Sequence, residues 1–421
     1  MPRQTHSRFP KRFLWGAAVS AHQVEGGLHS NQWSHWEQNN AHSLAARSEY
    51  QFEDTPGWDR FRAQAKQPNN YISGQAAGHF SRYEADFDIA KRLNLDTLRF
   101  SIEWSRVEPN EGIWDADAIN YYRNYVAELK KRGIEPIVTL FENTLPVWFC
   151  EMGAFEKSAN VKYFVRFAEK IISELGIQVK FILTMAEPEA YAVESYLEGN
   201  WPPQKTSRIT TMSVIRNLAR AHRLSASSIR RLNRRYKVSV ATNASYVYAG
   251  DDALLSRRSA DVYQYFRDDY FVKKIIKSCD FIAINYYSSD RIYGYRVHNP
   301  GRHISDTGSD MAPENLEYVL VRLYEKYKLP IMITGNGLAD SDDENRKWWL
   351  METIVAMQKA LASGVKLEGY LYSSLLDGFE WDKGFWPRTG LVAVDRSTLE
   401  RTPRASAKWF GKVILRLKGD A

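Results

Sequence analysis

The 421-residue sequence predicts an α/β fold, a single (β/α)8 barrel that spans residues 1–421. Two observations favour this class. Short apolar runs rich in β-branched residues alternate with longer helical patterns, which is typical of a parallel sheet built from βα units. In addition, no linker, low-complexity stretch or shift in composition divides the chain. Since α/β barrels often form one domain at this length, a single domain is the simplest interpretation.

The apolar runs number eight, the strand count of such a barrel. The candidate strands are Phe13–Ser20, Leu95–Trp104, Ile134–Glu142, Val179–Glu187, Val238–Ser245, Phe281–Ser288, Ile331–Asn336 and Gly369–Leu376.

Helix signals lie between these runs. The segment Ser81-Arg-Tyr-Glu84 has the pattern of a capping box and predicts a helix start. Phe87, Ala90 and Leu93 follow at helical spacing and predict a buried face. Later start and stop signals, from glycine, serine and proline chemistry, are Gly133, Ser158, Gly176, Pro313 and Gly364.

Composition excludes several classes of protein. Hydrophobic residues make up 44% and charged residues 25%, which is ordinary for a globular chain and excludes disorder. The two cysteines, Cys150 and Cys279, exclude a disulfide framework and a cysteine-rich zinc site. No His-rich ligand set appears, so we expect neither a metal nor an organic cofactor.

The formal charge of +7 raises the question of a polyanionic partner. Most basic residues are dispersed. One local cluster comprises Arg230, Arg231, Arg234, Arg235 and Lys237. Without a recognisable binding motif, this cluster indicates a solvated helix end before a strand, and we expect no nucleic-acid partner.

The sequence also predicts no membrane partner and a cytoplasmic location. No run approaches the ~18 apolar residues of a membrane span. The segment Met1–Pro10 is polar and lacks the apolar stretch of a signal peptide. The oligomeric state stays open.

The polar residues at the strand ends indicate where chemistry occurs, because barrel enzymes place their sites at the carboxyl ends of the strands. Carboxylates, amides and aromatics converge there. Their segments are His22–Glu25, Arg99–Glu103, Leu140–Asn143, Ala186–Pro188, Asn285–Tyr287, Thr334–Gly337 and Asp377–Trp381. Such a set suits a sugar, whose hydroxyls need acceptors and whose C–H faces need flat rings.

Four segments carry a resemblance to a known family. They are Phe13-Leu-Trp-Gly-Ala-Ala-Val-Ser-Ala-His-Gln-Val-Glu-Gly26, Arg99-Phe-Ser-Ile-Glu-Trp-Ser-Arg106, Asn285-Tyr-Tyr287 and Leu375-Leu-Asp-Gly-Phe-Glu-Trp381. In this order the chain resembles glycoside hydrolase family 1, the β-glucosidase family, from Phe13 to about Phe410. The resemblance implies a (β/α)8 barrel that acts on β-glycosides with retention.

The resemblance also implies roles for individual residues. Glu187, in Thr184-Met-Ala-Glu-Pro188, matches the acid/base. Glu380 and Trp381 resemble the pair that grips the 4- and 6-hydroxyls of the sugar. The further implied substrate-binding residues are Gln23, Arg99, Asn285 and Tyr287.

The sequence departs from the family pattern at the catalytic centre. The nucleophile motif of the family reads Thr-Glu-Asn-Gly, whereas this chain reads Thr334-Gly-Asn-Gly337. Gly335 therefore leaves the nucleophile position vacant, and retaining hydrolysis should be impaired. Loss of that neighbouring carboxylate should also remove like-charge repulsion and lower the pKa of Glu187.

Other departures fall at positions that would line the same pocket. Asn143 replaces a family aromatic, Ala186 an Asn, Ser373 a Trp that stacks on the sugar, and Thr389 a Phe. Glu142 replaces a sugar-binding His. The clustering indicates a pocket remodelled by evolution or by engineering, and the smaller side chains should enlarge the cavity.

These departures leave several functions open. The chain is interpreted as a β-glycosidase-like protein that acts on or binds a small-molecule β-glycoside, with impaired hydrolysis. One alternative is a remodelled pocket that binds a different ligand or uses Glu142 as a general base or relocated nucleophile. Another is a glycosynthase-type variant. Glu187 paired with Arg99 in a purely structural role is the competing interpretation of that carboxylate.

Overall fold

The central feature of the molecule is a closed barrel of parallel strands. The computed structural model describes residues 8–299 and 303–419, so residues 1–7 of the polar N-terminal segment lie outside the described residues. Eight strands close the barrel in chain order, each parallel to its neighbours. They are β1 Leu14–Ala18, β2 Thr97–Ser101, β3 Glu135–Thr139, β4 Phe181–Ala186, β5 Lys237–Asn243, β6 Ile282–Tyr286, β7 Ile331–Asn336 and β8 Leu367–Ser373. The predicted fold class and all eight predicted strands are confirmed.

Helices connect the strands and surround the barrel. The α-helices are α1 Ala21–Val24, α2 Gln32–Phe52, α3 Asp59–Ala65, α4 His79–Arg92, α5 Trp104–Val107, α6 Ala116–Lys131, α7 Val147–Glu151, α8 Val161–Leu175, α9 Pro188–Tyr196, α10 Arg208–Leu232, α11 Leu254–Gln264, α12 Tyr270–Ile275, α13 Leu316–Tyr327, α14 Arg346–Ala362 and α15 Ala405–Gly419. A π-helical turn, Tyr265–Asp269, joins α11 to α12. Shorter strands outside the barrel are Tyr246–Ala249, Ser289–Tyr293, Arg296–Val297, Val392–Val394 and Arg401–Pro403.

The helix boundaries follow the sequence signals with one exception. Gly133, Gly176 and Gly364 lie within two residues of the ends of α6, α8 and α14 and have φ of 69°, 64° and 85°, a conformation that glycine adopts without steric cost. The helix start predicted from the capping box at Ser81 was wrong, because α4 begins at His79. The chain turns into α4 at Gly78, whose φ is 62°. His79 is then held by the buried Asp86 and Tyr125, at 2.7 and 2.8 Å, so tertiary contacts extend the helix toward its N-terminus.

Two apolar clusters hold the layers together. A large cluster packs the outward side chains of the strands against the helices, with Phe87, Ala90 and Leu93 of the α4 region among its members. A smaller one fills the barrel with inward side chains such as Ile137, Leu183 and Leu371. Because the interior is packed, ligands have access only at the ends of the strands. In the described part of the chain, no helix is both long and apolar enough to cross a membrane.

Candidate active site

A cavity of about 320 Å³ opens at the carboxyl ends of the strands. Its volume lies within the range of small-molecule pockets. Most of the predicted site residues meet there. From that set, the lining includes Gln23, Glu142, Asn143, Ala186, Glu187, Tyr287, Ser373, Glu380, Trp381 and Thr389.

Glu187 lies directly after β4 and is oriented by two amides. Asn285 Nδ2 donates to its Oε1 at 2.6 Å, and Asn243 Nδ2 contacts its Oε2 at 3.4 Å. Burial raises the pKa of Glu187, although the Asn285 hydrogen bond and the charge of Arg99 oppose the shift. The lowering expected from the absent carboxylate is relative to a family member with Glu at position 335, and it stays a prediction.

Arg99 pairs with Glu142, so the alternative in which it pairs with Glu187 is wrong. Arg99 is almost fully buried on β2, and its Nη2 donates to Glu142 Oε1 at 2.7 Å. Its other donors reach Thr139 Oγ1 and the carbonyl of Thr334. Arg99 thus connects β2 and the adjacent β3 to β7 across the barrel.

Glu142 retains one unused oxygen. Its Oε2 is buried and has no hydrogen-bond partner within the described residues. Burial raises its pKa, the Arg99 charge lowers it, and the nearby Glu187 raises it again. The two carboxyls therefore interact electrostatically at one end of the cavity.

Gly335 on β7 is buried, and the room for a side chain there is occupied. A Cβ at this position would lie 2.7 Å from both Asn285 Oδ1 and the Tyr287 hydroxyl. Any side chain at position 335 requires those two groups to move. The position is therefore not the open vacancy that the sequence suggested.

The backbone next to Gly335 is fixed by Asn336. Asn336 Oδ1 accepts hydrogen bonds from Trp349 Nε1 at 2.9 Å and the Tyr370 hydroxyl at 2.8 Å, and its Nδ2 donates to the carbonyl of Tyr286 at 2.6 Å. These partners come from three different elements. The direction of the chain at the end of β7 is consequently held without a side chain at position 335.

The opposite side of the cavity is built around Glu380. Thr389 Oγ1 donates to Glu380 Oε1 at 2.8 Å, and Gln23 also hydrogen-bonds the carboxyl. Ser20 Oγ donates to Gln23 Oε1 at 2.7 Å, which leaves the Gln23 amide nitrogen to donate onward. Burial raises the pKa of Glu380 to about 7, so its charge changes near neutral pH.

Trp381 is oriented by a buried imidazole. The rings of Trp381 and His22 stack with 10° between their planes and 5.8 Å between their centroids. His22 is fixed in turn by Glu37 at 2.6 Å and Asn31 at 3.2 Å. His22 therefore supports the binding surface from behind and does not line the cavity.

The altered positions have different surroundings. Asn143 has φ of 61°, its carbonyl accepts bonds from Gln32 and Trp33, and its own Oδ1 lacks a partner within the described residues. Ala186 and Ser373 end β4 and β8 at the cavity. Neither provides a flat ring.

Sequence reasoning missed Trp201, which lines the cavity. Its Nε1 donates to Asp382 Oδ1 at 3.2 Å, and its ring centroid lies 5.9 Å from that of Trp381. Trp201 follows α9 in a Trp-Pro-Pro segment. A tryptophan before two prolines, in a loop at the carboxyl end of the barrel, was the available signal.

The described residues contain no group of three or more His, Cys, Asp or Glu side chains placed to hold a metal ion. The site is therefore described by carboxylates, amides and aromatic rings. This combination can bind hydroxyl groups and transfer a proton at Glu187.

Fold, cavity and carboxylates define a barrel protein of the glycoside-hydrolase class. The chain belongs to glycosyl hydrolase family 1, whose family model matches residues 5–284 and 266–418. Beta-glucosidase A of Thermotoga maritima is 27% identical over 97% of this chain and 98% of its own length. A galactolipid galactosyltransferase, SFR2, of Arabidopsis thaliana is 29% identical over 79% of this chain and 57% of its own length. The structure is also similar to a beta-glycosidase from Pyrococcus horikoshii, with a TM-score of 0.86, 31% identity and coverage of 98% and 95% of the two chains.

Proposed function

We propose that this protein binds β-glycosides in the central cavity, with Glu187 as the proton donor, and that retaining hydrolysis is impaired at position 335. The observation that carries the proposal is the combination of a held Glu187 carboxyl with a buried Gly335 that has no side chain. Several relatives are named beta-glucosidases, which supports a glucoside as the first ligand to test.

The sugar-binding role rests on the groups around Glu380. A carboxylate held by Gln23 and Thr389 accepts hydrogen bonds from hydroxyls, and Trp381 offers an adjacent ring. The pKa of Glu187 is raised by burial, as a general acid requires. These groups support both parts of the proposal, sugar binding at Glu380 and proton donation at Glu187.

Retention requires a second carboxylate about 5–5.5 Å from the first, which attacks the anomeric carbon and forms a glycosyl ester. Glycine cannot form this bond. The Tyr287 hydroxyl and the Asn285 amide stand close to the place of a Cβ at this position. We therefore expect binding of the glycoside without the first displacement step.

The test compares release of nitrophenol from an aryl β-glucoside with binding of the same glucoside by calorimetry. The expected result for the unaltered protein is measurable binding with negligible release. Azide should restore release more strongly in Tyr287→Phe than in the unaltered protein, because Asn285 and Tyr287 crowd the side of Gly335. From that side azide would attack the anomeric carbon on the α face while Glu187 protonates the departing phenol oxygen. The product should be the α-glucosyl azide, and Glu187→Ala should reduce its formation.

Two results would contradict the proposal. Absence of glucoside binding would show that the cavity takes another ligand. Rapid release without azide, lost on Glu187→Ala, would show that another carboxylate has replaced the nucleophile. Gly335→Glu is the positive control, because it supplies the missing carboxylate. Any gain in nitrophenol release by this variant requires Asn285 and Tyr287 to move away from the new side chain.

A second candidate function uses Glu142 as a base that activates water. It is favoured by the unpartnered Oε2 of Glu142, in the same cavity as Glu187. Attack by water from the face opposite the leaving group would invert the anomeric carbon. The candidate predicts α-glucose as the first product by NMR, loss of that product in Glu142→Gln, and no loss in the exposed control Glu151→Gln.

The glycosynthase-type alternative is tested with α-glucosyl fluoride and an acceptor glucoside. It requires room for fluoride beside Gly335. Because Asn285 and Tyr287 crowd that position, we expect transfer to be slow unless Tyr287 is shortened, for example by Tyr287→Phe.

A further inference from the structure

One long segment of the chain contains no acidic residue. Residues 199–250 include ten lysines and arginines and neither Asp nor Glu, although the whole chain contains 50 acidic residues. The segment includes α10, which forms part of the outer wall of the barrel between β4 and β5. The segment therefore carries ten positive charges and no negative one, whereas the formal charge of the whole chain is +7.

Three arginines of α10 line a surface groove of about 580 Å³. Arg216, Arg220 and Arg223 are exposed and follow each other at helical spacing. Lys274 of α12 lines the same groove, together with the hydroxyls of Ser158 and Ser213. The groove is separate from the central cavity, with which it shares no lining residue in the described chain.

The groove arginines lack acidic partners. Among the described residues, neither Arg216, Arg220 nor Arg223 forms an ion pair, whereas exposed arginines elsewhere, such as Arg60 and Arg123, do. The carboxylate on the groove wall, that of Glu156, is held by Lys205 Nζ at 2.7 Å. The groove thus presents positive charge that the described protein does not neutralise.

Two of these side chains are already oriented. Arg223 Nη1 donates to the carbonyl of Lys274 at 3.0 Å, and Arg216 Nη2 donates to Ser213 Oγ at 3.2 Å. Each guanidinium retains further donors, since the group has five N–H bonds. Ordering before binding reduces the entropy that a ligand must overcome.

We propose that this groove is a binding site for a phosphate-bearing ligand, held by Arg216, Arg220, Arg223 and Lys274. Guanidinium groups pair with phosphate oxygens in a bidentate manner, and the single carboxylate of this groove, Glu156, is already paired with Lys205. At a rise of 1.5 Å per residue, the Cα atoms of Arg216 and Arg223 lie roughly 10 Å apart along α10. That length suits two or three linked phosphate groups, either free in solution or carried by neighbouring lipid headgroups.

The test titrates the full chain with tripolyphosphate by calorimetry at low and physiological salt. The groove variant is Arg220→Gln/Arg223→Gln. The matched control is Arg234→Gln/Arg235→Gln, which removes the same charge from exposed positions outside the groove. We expect the groove variant to lose at least about tenfold in affinity and the control to change by less than about threefold.

A second arm identifies the source of the phosphate. Co-sedimentation uses vesicles with and without phosphatidylglycerol. Groove-dependent binding of tripolyphosphate alone indicates a soluble ligand, and groove-dependent binding to the anionic vesicles indicates a headgroup. Either result supports the site. Equal losses in the two double variants, or no binding by the unaltered protein, would overturn it, provided that circular dichroism shows every variant to be folded.

Discussion

The two sides of the central cavity differ in how completely the protein pairs its own polar atoms. Around Glu380, hydrogen bonds from Thr389 and Gln23 satisfy the carboxyl before any ligand binds. At the other end of the cavity, Glu142 Oε2 and Asn143 Oδ1 are buried without a partner among the described residues. An unpaired buried polar atom costs about 1–3 kcal/mol. The contrast shows that the carboxyl of Glu380 is preorganised by the protein itself, whereas the end of the cavity at Glu142 retains acceptors that a ligand could pair.

The largest effect is expected from Glu142→Gln on stability. The change leaves the Arg99 guanidinium, 2% exposed, without its counter-charge. Breaking such a pair should lower the free energy of unfolding by roughly 3 kcal/mol, measured by chemical denaturation. The exposed Glu151→Gln should change it by less than about 0.5 kcal/mol. Equal stability of the two variants would show that Glu142 is not needed to hold Arg99.

The next effect concerns the side of the cavity at Glu380. Glu380→Gln removes the charged acceptor and should weaken binding of methyl β-glucoside roughly 30-fold, about 2 kcal/mol, by calorimetry at pH 8. Asp395→Asn, on an exposed turn, is the control with the same change of charge. Unaltered affinity in Glu380→Gln would place the sugar elsewhere in the cavity.

A third test measures the pH dependence of glucoside affinity, which distinguishes titration of Glu380 from titration of Glu142 or Glu187 on the other side of the cavity. Because the pKa of Glu380 is raised to about 7, the carboxylate form that accepts hydroxyl hydrogen bonds is lost as the pH falls through that value. Affinity for methyl β-glucoside should therefore fall about tenfold from pH 8 to pH 6. Glu380→Gln should show a flat profile over that interval. An equal slope in both proteins would assign the titration to another group, such as Glu142 or Glu187.

The smallest expected effect is at Trp201. Trp201→Ala should weaken binding of phenyl β-glucoside about fivefold, near 1 kcal/mol, through loss of a stacking surface, and Trp201→Phe should retain most of the affinity. Trp409→Ala, on α15 away from the cavity, is the control. Quenching of tryptophan fluorescence on binding gives the measurement. Identical affinities for the Trp201→Ala variant and the control would remove Trp201 from the site.

The sequence predicted the barrel because strand formation and strand order depend on local patterns. All eight apolar runs form strands, and glycine ends the helices before β3 and β8. The predicted start of α4 was wrong because the helix begins at His79, which contacts Tyr125, a residue 46 positions away. A local capping pattern contains no information about such a contact.

The site was predictable at the level of which residues meet, and less so at the level of what they contact. Glu142 and Glu187 share the cavity as expected. Which of these two carboxylates pairs with Arg99 depends on the direction in which each side chain leaves the end of its strand. Tyr287 crowds Gly335 because β6, which ends just before Tyr287, pairs with β7 in the barrel. The two strands are distant in sequence. A single sequence does not encode these directions in any short pattern.

The hydrogen bonds of Asn336 have a consequence for the history of the protein. Trp349, Tyr370 and the Tyr286 carbonyl hold the end of β7 through Asn336, so the backbone of the neighbouring position is supported by side chains other than its own. Glycine and glutamate codons can differ by a single base. A change from glycine to glutamate at position 335 is therefore genetically accessible, and it also requires repositioning of Asn285 and Tyr287. Support for this position is thus separate from the residue that occupies it, which a single base change can alter.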